Sequence, residues 1–371
     1  MHGLDRPSLA VSLAEDRFPF DHRYLWGPAP FGIPALRYFT HEVLHFWAML
    51  GSGFLANLAL GEWRALEQYD ATGTVPEPAG ALESFARHVP EAGFSPWQLH
   101  EALCRYWDIH VVGPELLLGE TSPGPEEQDL PEWMIENLDP DVVERLRLTT
   151  PYTNEQFDRW MAMEDDYARP YRAMLERLGT RRSVVLFPLV AFFAFQTPRP
   201  CEVYAEAVAA LVEAGIVPET GGPASIHELW RDVFGAVHAV CAGASLAVCG
   251  RGLTGGAPVI AEVARQGNPV YGHYRALFST VADAREANVW LALPGDPLFR
   301  TQLVAHFLPP VTVFRDGRWE AESAMAKLAR AEGVPGILDP GALADAAEAI
   351  RRRGLAMGEA MLMRGFATPE P

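Results

Sequence analysis

The sequence predicts a mainly α-helical fold, a multi-helix bundle with minor β hairpin content near 311–320. Three observations lead there. Helix-start signals stand at the head of several apolar stretches, turn-forming Pro and Gly separate those stretches, and strand-like segments occur only toward the C-terminal end. The chain is 49% apolar and 21% charged, so it can bury a core and is not of disordered composition. A single helical domain over 1–371 is expected, with 217–224 as the place where it would subdivide, because Pro218, Gly221, Gly222 and Pro223 cluster there.

Residues 1–32 mix prolines and aromatics without a period and are expected to wrap the surface. Pro34 can sit in the first turn of a helix running through Leu50, since its missing N–H has no partner to lose there. Gly51-Ser52-Gly53 then breaks or kinks the path before a second helical stretch from Phe54 to about Tyr69, and Ala71 to Gly80 reads as a connector. Ser95-Pro96-Trp97-Gln98 has the form of a capping box and predicts a helix to about His110. A polar surface loop is expected over 121–131, and Thr153-Asn154-Glu155-Gln156 offers a second capping box. Further helices are expected at 183–196, 200–214, 226–248, 322–332 and 341–364. Asn288 to Leu293 reads as a short strand, and Val311 to Glu320 as a hairpin turning at Asp316-Gly317.

The formal charge of −18 disfavours nucleic acid and anionic membranes as partners. The dense basic run Arg351-Arg352-Arg353 is expected to offset a helix dipole or stay solvated. Ser183 to Phe195, read as the longest apolar run, is shorter than the ~20 residues of a membrane span and suits a buried helix. Cys104, Cys201, Cys241 and Cys249 form no CxxC pair and read as reduced thiols. With no apolar signal core in Met1 to Pro7, a cytoplasmic protein is expected, with a homo-oligomer left open. Lys327 is the sole lysine among many arginines, a habit of high-GC bacterial genomes.

The sharpest chemical signal is Thr40-His41-Glu42-Val43-Leu44-His45-Phe46. His41 and His45 lie one helical turn apart, so both imidazoles project from one face and can grip one ion, with Glu42 as a third ligand or a general base. A zinc peptidase would use this string with a downstream ligand, but Glu62 is not at a standard spacing. A di-iron carboxylate bundle would pair Glu42-x-x-His45 with a second E-x-x-H, and no convincing one is found. On the helix opened by Pro96, His100, Cys104 and Asp108 fall at four-residue steps on one face, with His110 close by, and could complete a centre. His-Glu recurs at His227-Glu228, and acids favour first helical turns in any case. His227 and His238 stand roughly 16 Å apart by helical rise and cannot hold one ion.

Two family likenesses accompany these motifs. Arg37-Tyr38, His41-Glu42-x-x-His45, Leu60-Gly61-Glu62, Thr72-Gly73 and Pro76 resemble the metal-binding segment of the coenzyme Q biosynthesis family, which carries HDxxH followed by LGE. The resemblance covers 37–76 and implies ligand roles for His41, Glu42, His45 and Glu62 and work on a hydrophobic aromatic ring. Glu stands where that family has Asp, and the interval to Glu62 is longer. Trp230-Arg231, His238 and Leu253-Thr254-Gly255-Gly256 are similar to the tryptophan dioxygenase family of haem enzymes. That likeness implies His238 as axial ligand and Thr254 near the substrate. Gly250 to Gly255 also matches G-x-G-x-x-G, but it follows a helical stretch and lacks the later acid, so a turn is the better account.

The expectation is therefore a metal-dependent oxidoreductase of a biosynthetic pathway, using iron or zinc on a small hydrophobic or aromatic molecule. Its metal residues would be His41, Glu42, His45, Glu62, His100 and Asp108, with Glu42 catalytic. The alternatives are a haem-dependent aromatic oxygenase and a non-catalytic helical binding protein.

Overall fold

The computed structural model describes residues 3–14, 33–74, 84–106, 165–216, 226–281, 309–315, 318–322 and 338–366. Its elements run β1 (Gly3–Asp5), β2 (Ala10–Ala14), α1 (Ile33–Gly51), α2 (Gly53–Thr72), α3 (Pro96–Tyr106), α4 (Asp165–Leu178), α5 (Thr180–Phe195) and α6 (Pro200–Ala214). They continue with α7 (Ile226–Cys249), α8 (Ala257–Arg265), α9 (Pro269–Val281), β3 (Val311–Arg315), β4 (Arg318–Glu322) and α10 (Pro340–Phe366). The architecture is mainly helical, as the sequence predicts. The 121–131 loop, the Thr153 capping box, the 217–224 linker, the 288–293 strand, nearly all of the 322–332 helix and Asp108 lie outside the described residues.

The hairpin forms between β3 and β4, with Arg315 paired to Arg318. It belongs to a larger unit: β2 pairs parallel with β3, and β1 pairs antiparallel with β2, giving a four-stranded sheet in the order β1-β2-β3-β4. Residues 3–14 are thus not a surface wrap, while 15–32 lie outside the described residues. Leu9, Ala10 and Val11 are fully buried. Parallel pairing needs a partner distant in sequence, here about 300 residues away, and no local pattern announces it.

The Gly51-Ser52-Gly53 break has a defined cause. Ser52 is extended and its Oγ caps α2, accepting from the Leu55 N–H at 3.2 Å while donating to the Phe195 carbonyl at 2.9 Å. Ser52 also bridges Gly255, and a Cβ on Gly53 would come within 2.5 Å of the Thr254 carbonyl oxygen. The turn after α7 is therefore pressed backbone-to-backbone against the α1–α2 break, and glycine is required for the approach.

The capping box at α3 is complete. Gln98 N–H donates to Ser95 Oγ at 3.2 Å and Ser95 N–H donates to Gln98 Oε1 at 2.9 Å. α5 is buried along its length from Ser183 to Phe195 despite Pro188. Proline has no N–H for the Val184 carbonyl one turn back, and the Tyr106 hydroxyl of α3 donates to that oxygen instead. Trp230 of α7 donates to the next carbonyl, Val185, at 2.8 Å. Three helices are tied together where one has lost a backbone bond.

The sequence did not predict α8 and α9. Asn268 starts α9 by accepting from the N–H groups of Val270 and Tyr271, at 3.0 and 3.2 Å, and its amide donates to the Pro7 carbonyl at 2.8 Å. The arginine run also differs from expectation. It lies mid-helix in α10, where Arg351 is buried against Glu348 at 2.7 Å, and Arg353 reaches Glu67 and Asp70 of α2 across the Trp63 ring. Within α7, Asp232 to Cys249 is longer than the apolar run of α5, with a mean hydropathy of 1.6, and only 28% of it is buried. By length and composition it is a helix that could cross a membrane.

Candidate metal centre

α1 and α3 each carry the same spacing of chemical groups. α1 has His41-Glu42-x-x-His45 and α3 has His100-Glu101-x-x-Cys104. Positions one turn apart share a face, and the two helices turn these faces toward each other. The Nδ1 atom of His45 lies 3.3 Å from Nε2 of His100 and 3.3 Å from Sγ of Cys104. On the other side of the same ring, Nε2 of His45 lies 3.0 Å from Nε2 of His41 and 3.6 Å from Oε1 of Glu101. Glu101 Oε2 is 3.5 Å from His41 Nε2. The Glu42 carboxylate reaches within 4.8 Å of the ligand atoms of His41 and His45.

His41, Glu42, His45, His100 and Cys104 are all buried. Burial disfavours charge, so His45 is pushed down to about 4 and His100 well below the ordinary histidine value; both imidazoles are neutral near pH 7. Burial pushes Glu42 up to about 7. Glu101 is pushed the same way by burial, but the imidazoles of His45 and His41 outweigh it and hold its carboxyl low. Oε2 of Glu42 is buried with no hydrogen-bond partner among the described residues, a costly condition that a cation would relieve.

The spacings suit an ion. Ligands at zinc-like bond lengths of about 2.0–2.3 Å stand roughly 3.3–3.8 Å apart in tetrahedral geometry, and the observed separations, on the two edges of the His45 ring, run from 3.0 to 3.6 Å, at or a little below that range. Buried His, Cys and Glu groups could therefore hold a metal ion here. Phe85 and Phe195 border His100 at ring distances of 6.1 and 5.8 Å, and Phe54 touches both phenylalanines. This makes one wall of the centre apolar and aromatic.

No protein-family model, curated protein or solved structure matches this chain.

Four of the residues expected from sequence, His41, Glu42, His45 and His100, come together. Glu62 does not join them. Its carboxylate receives a paired contact from Arg6, with Nε at 2.8 and 2.9 Å from the two oxygens. His238 is exposed on α7 and packs against Phe193 and Phe234, and the Thr254 hydroxyl donates to the Gln196 carbonyl at 3.1 Å. Neither has a contact with the histidine cluster among the described residues. Glu101 escapes a search for a second E-x-x-H, because α3 carries E-x-x-C instead. The repeated His-Glu dipeptide was the available signal.

Proposed function

We propose that this chain is a metal-dependent enzyme that acts on a small hydrophobic or aromatic molecule, with non-haem iron or zinc as the metal. The supporting observation is the convergence of three imidazoles, two carboxylates and a thiol from two facing helices into one buried space. Such a number of donors in an apolar interior is expensive unless a cation compensates it. A bound ion there supplies Lewis acidity, or redox chemistry if it is iron. Glu42, the carboxyl held near neutrality, is placed to take or give a proton. The phenylalanines around His100 offer an apolar ring a surface beside the ion and exclude water from it.

Elemental analysis of protein purified with and without oxygen tests the metal. One or two equivalents of iron or zinc per chain are expected, with a large loss in His45→Ala. Absence of metal in both preparations, together with failure to take up added iron or zinc, would overturn the proposal. Addition of a small phenol to the cobalt(II)-loaded protein tests the enzymatic part. A shift in the visible spectrum is expected, whereas a spectrum inert to phenol, azide and cyanide would leave only a structural ion.

A further inference from the structure

The two nitrogens of one imidazole point to opposite edges of the ring and cannot bind the same ion. His45 has ligand-type atoms at both edges. At Nδ1 stand His100 Nε2 and Cys104 Sγ, each at 3.3 Å. At Nε2 stand His41 Nε2 at 3.0 Å and Glu101 Oε1 at 3.6 Å, with Glu42 beside them. One ion can use either the nitrogen–sulfur group or the nitrogen–oxygen group, and whichever it uses, the other group stays buried without a cation. A neutral imidazole carries a single N–H, so hydrogen bonding alone lets His45 donate at only one of these two edges.

We infer that the centre holds two metal ions joined through the His45 imidazole, which would bind one ion at each nitrogen as an imidazolate. This rests on the proposed metal-dependent reading and deepens it. The first subsite consists of His45 Nδ1, His100 and Cys104; its thiolate selects a softer ion such as zinc. The second consists of His45 Nε2, His41, Glu101 and Glu42, a nitrogen–oxygen set suited to iron or zinc. Filling both subsites releases the protons of the Cys104 thiol and the His45 N–H to solvent, together with that of Glu42 where it is protonated. Two dications bring four positive charges. The thiolate, the imidazolate and the two carboxylates bring four negative ones. Arg6 is already matched by Glu62, and Arg105 is partly exposed to solvent.

Cobalt(II) titration of the full chain, stripped of metal with a chelator, tests this. Uptake should end at two equivalents. The thiolate-to-cobalt charge-transfer band should saturate at one equivalent, and the EPR intensity per cobalt should fall as the second subsite fills, since an imidazolate couples the two spins. Cys104→Ser should lose the band and one equivalent while retaining the other. The near-isosteric Glu101→Gln should keep the band and weaken the second equivalent at least tenfold, with circular dichroism confirming that both variants fold. Two equivalents with additive EPR intensity would overturn the bridge, and saturation at one equivalent would overturn the two-ion centre. Both results leave the metal-dependent reading standing. No cobalt uptake at all would sink the reading itself.

Discussion

Glu42 is the residue at which burial and charge are most directly opposed. Its carboxyl sits at about 7 against an ordinary value of 4.5, because ionising it in an apolar interior is unfavourable. A raised carboxyl releases its proton later in the folded chain than in the unfolded one. The folded state therefore keeps its full relative stability below about 4.5 and loses it progressively as pH rises through about 7. In metal-free protein, Glu42→Gln should be close to neutral at pH 5 and stabilising by roughly 3 kcal/mol at pH 8, since each pH unit between the two values is worth about 1.36 kcal/mol. Urea unfolding at the two pH values in the presence of chelator measures it. In metal-loaded protein the sign should reverse, because the carboxylate then has its cation. Equal effects at both pH values without metal would show that Glu42 is not held in its neutral form.

At the scale of the element, the local sequence signals that succeeded are those whose physics is local. The Ser95–Gln98 box, the Pro200 start of α6 and the histidine pair of α1 each depend on atoms within a turn of one another. α5 shows where that reasoning stops. Pro188 looks like an interruption, yet the helix continues because Tyr106, on another helix, takes the freed Val184 carbonyl. Tyr106→Phe should cost about 1–3 kcal/mol, the cost of a buried carbonyl left without a donor. Pro188→Ala restores the missing N–H, so in that background the Tyr106→Phe cost should fall by half or more. A double-mutant cycle read by thermal unfolding decides it, and strictly additive effects would refute the coupling.

Across the whole molecule, strands from residues 3–14 and 311–322 meet in one sheet, and the segment between β1 and β2 links that sheet to the helices around the candidate metal centre. Arg6 pairs with Glu62 on α2, lies 5.6 Å from the Phe85 ring centroid, and its carbonyl accepts from Tyr271 of α9 at 2.9 Å. Removing one partner of this partly buried pair, whose side chains are 25% and 14% exposed, strands the other, so Arg6→Ala should destabilise the fold by about 1–3 kcal/mol. Arg6→Met combined with Glu62→Met should recover most of that loss, as measured by denaturant midpoints. A double variant as unstable as the single one would mean that Arg6 acts through packing rather than charge. By contrast, the half-exposed Arg353 pairs with Glu67 and Asp70 should contribute no more than about 1 kcal/mol.

The amino-acid order alone determined the helical class, several helix starts, the β3–β4 hairpin and the pair of imidazoles on α1, because each follows from propensity, capping or periodicity over a few residues. Tertiary structure decided the rest. Which face of α3 meets α1, and hence that Glu101 and Cys104 stand beside His45 while Glu62 turns to Arg6, depends on side-chain packing between segments some 55 residues apart. The β2–β3 pairing likewise joins segments about 300 residues apart, and no local pattern encodes a partner so distant.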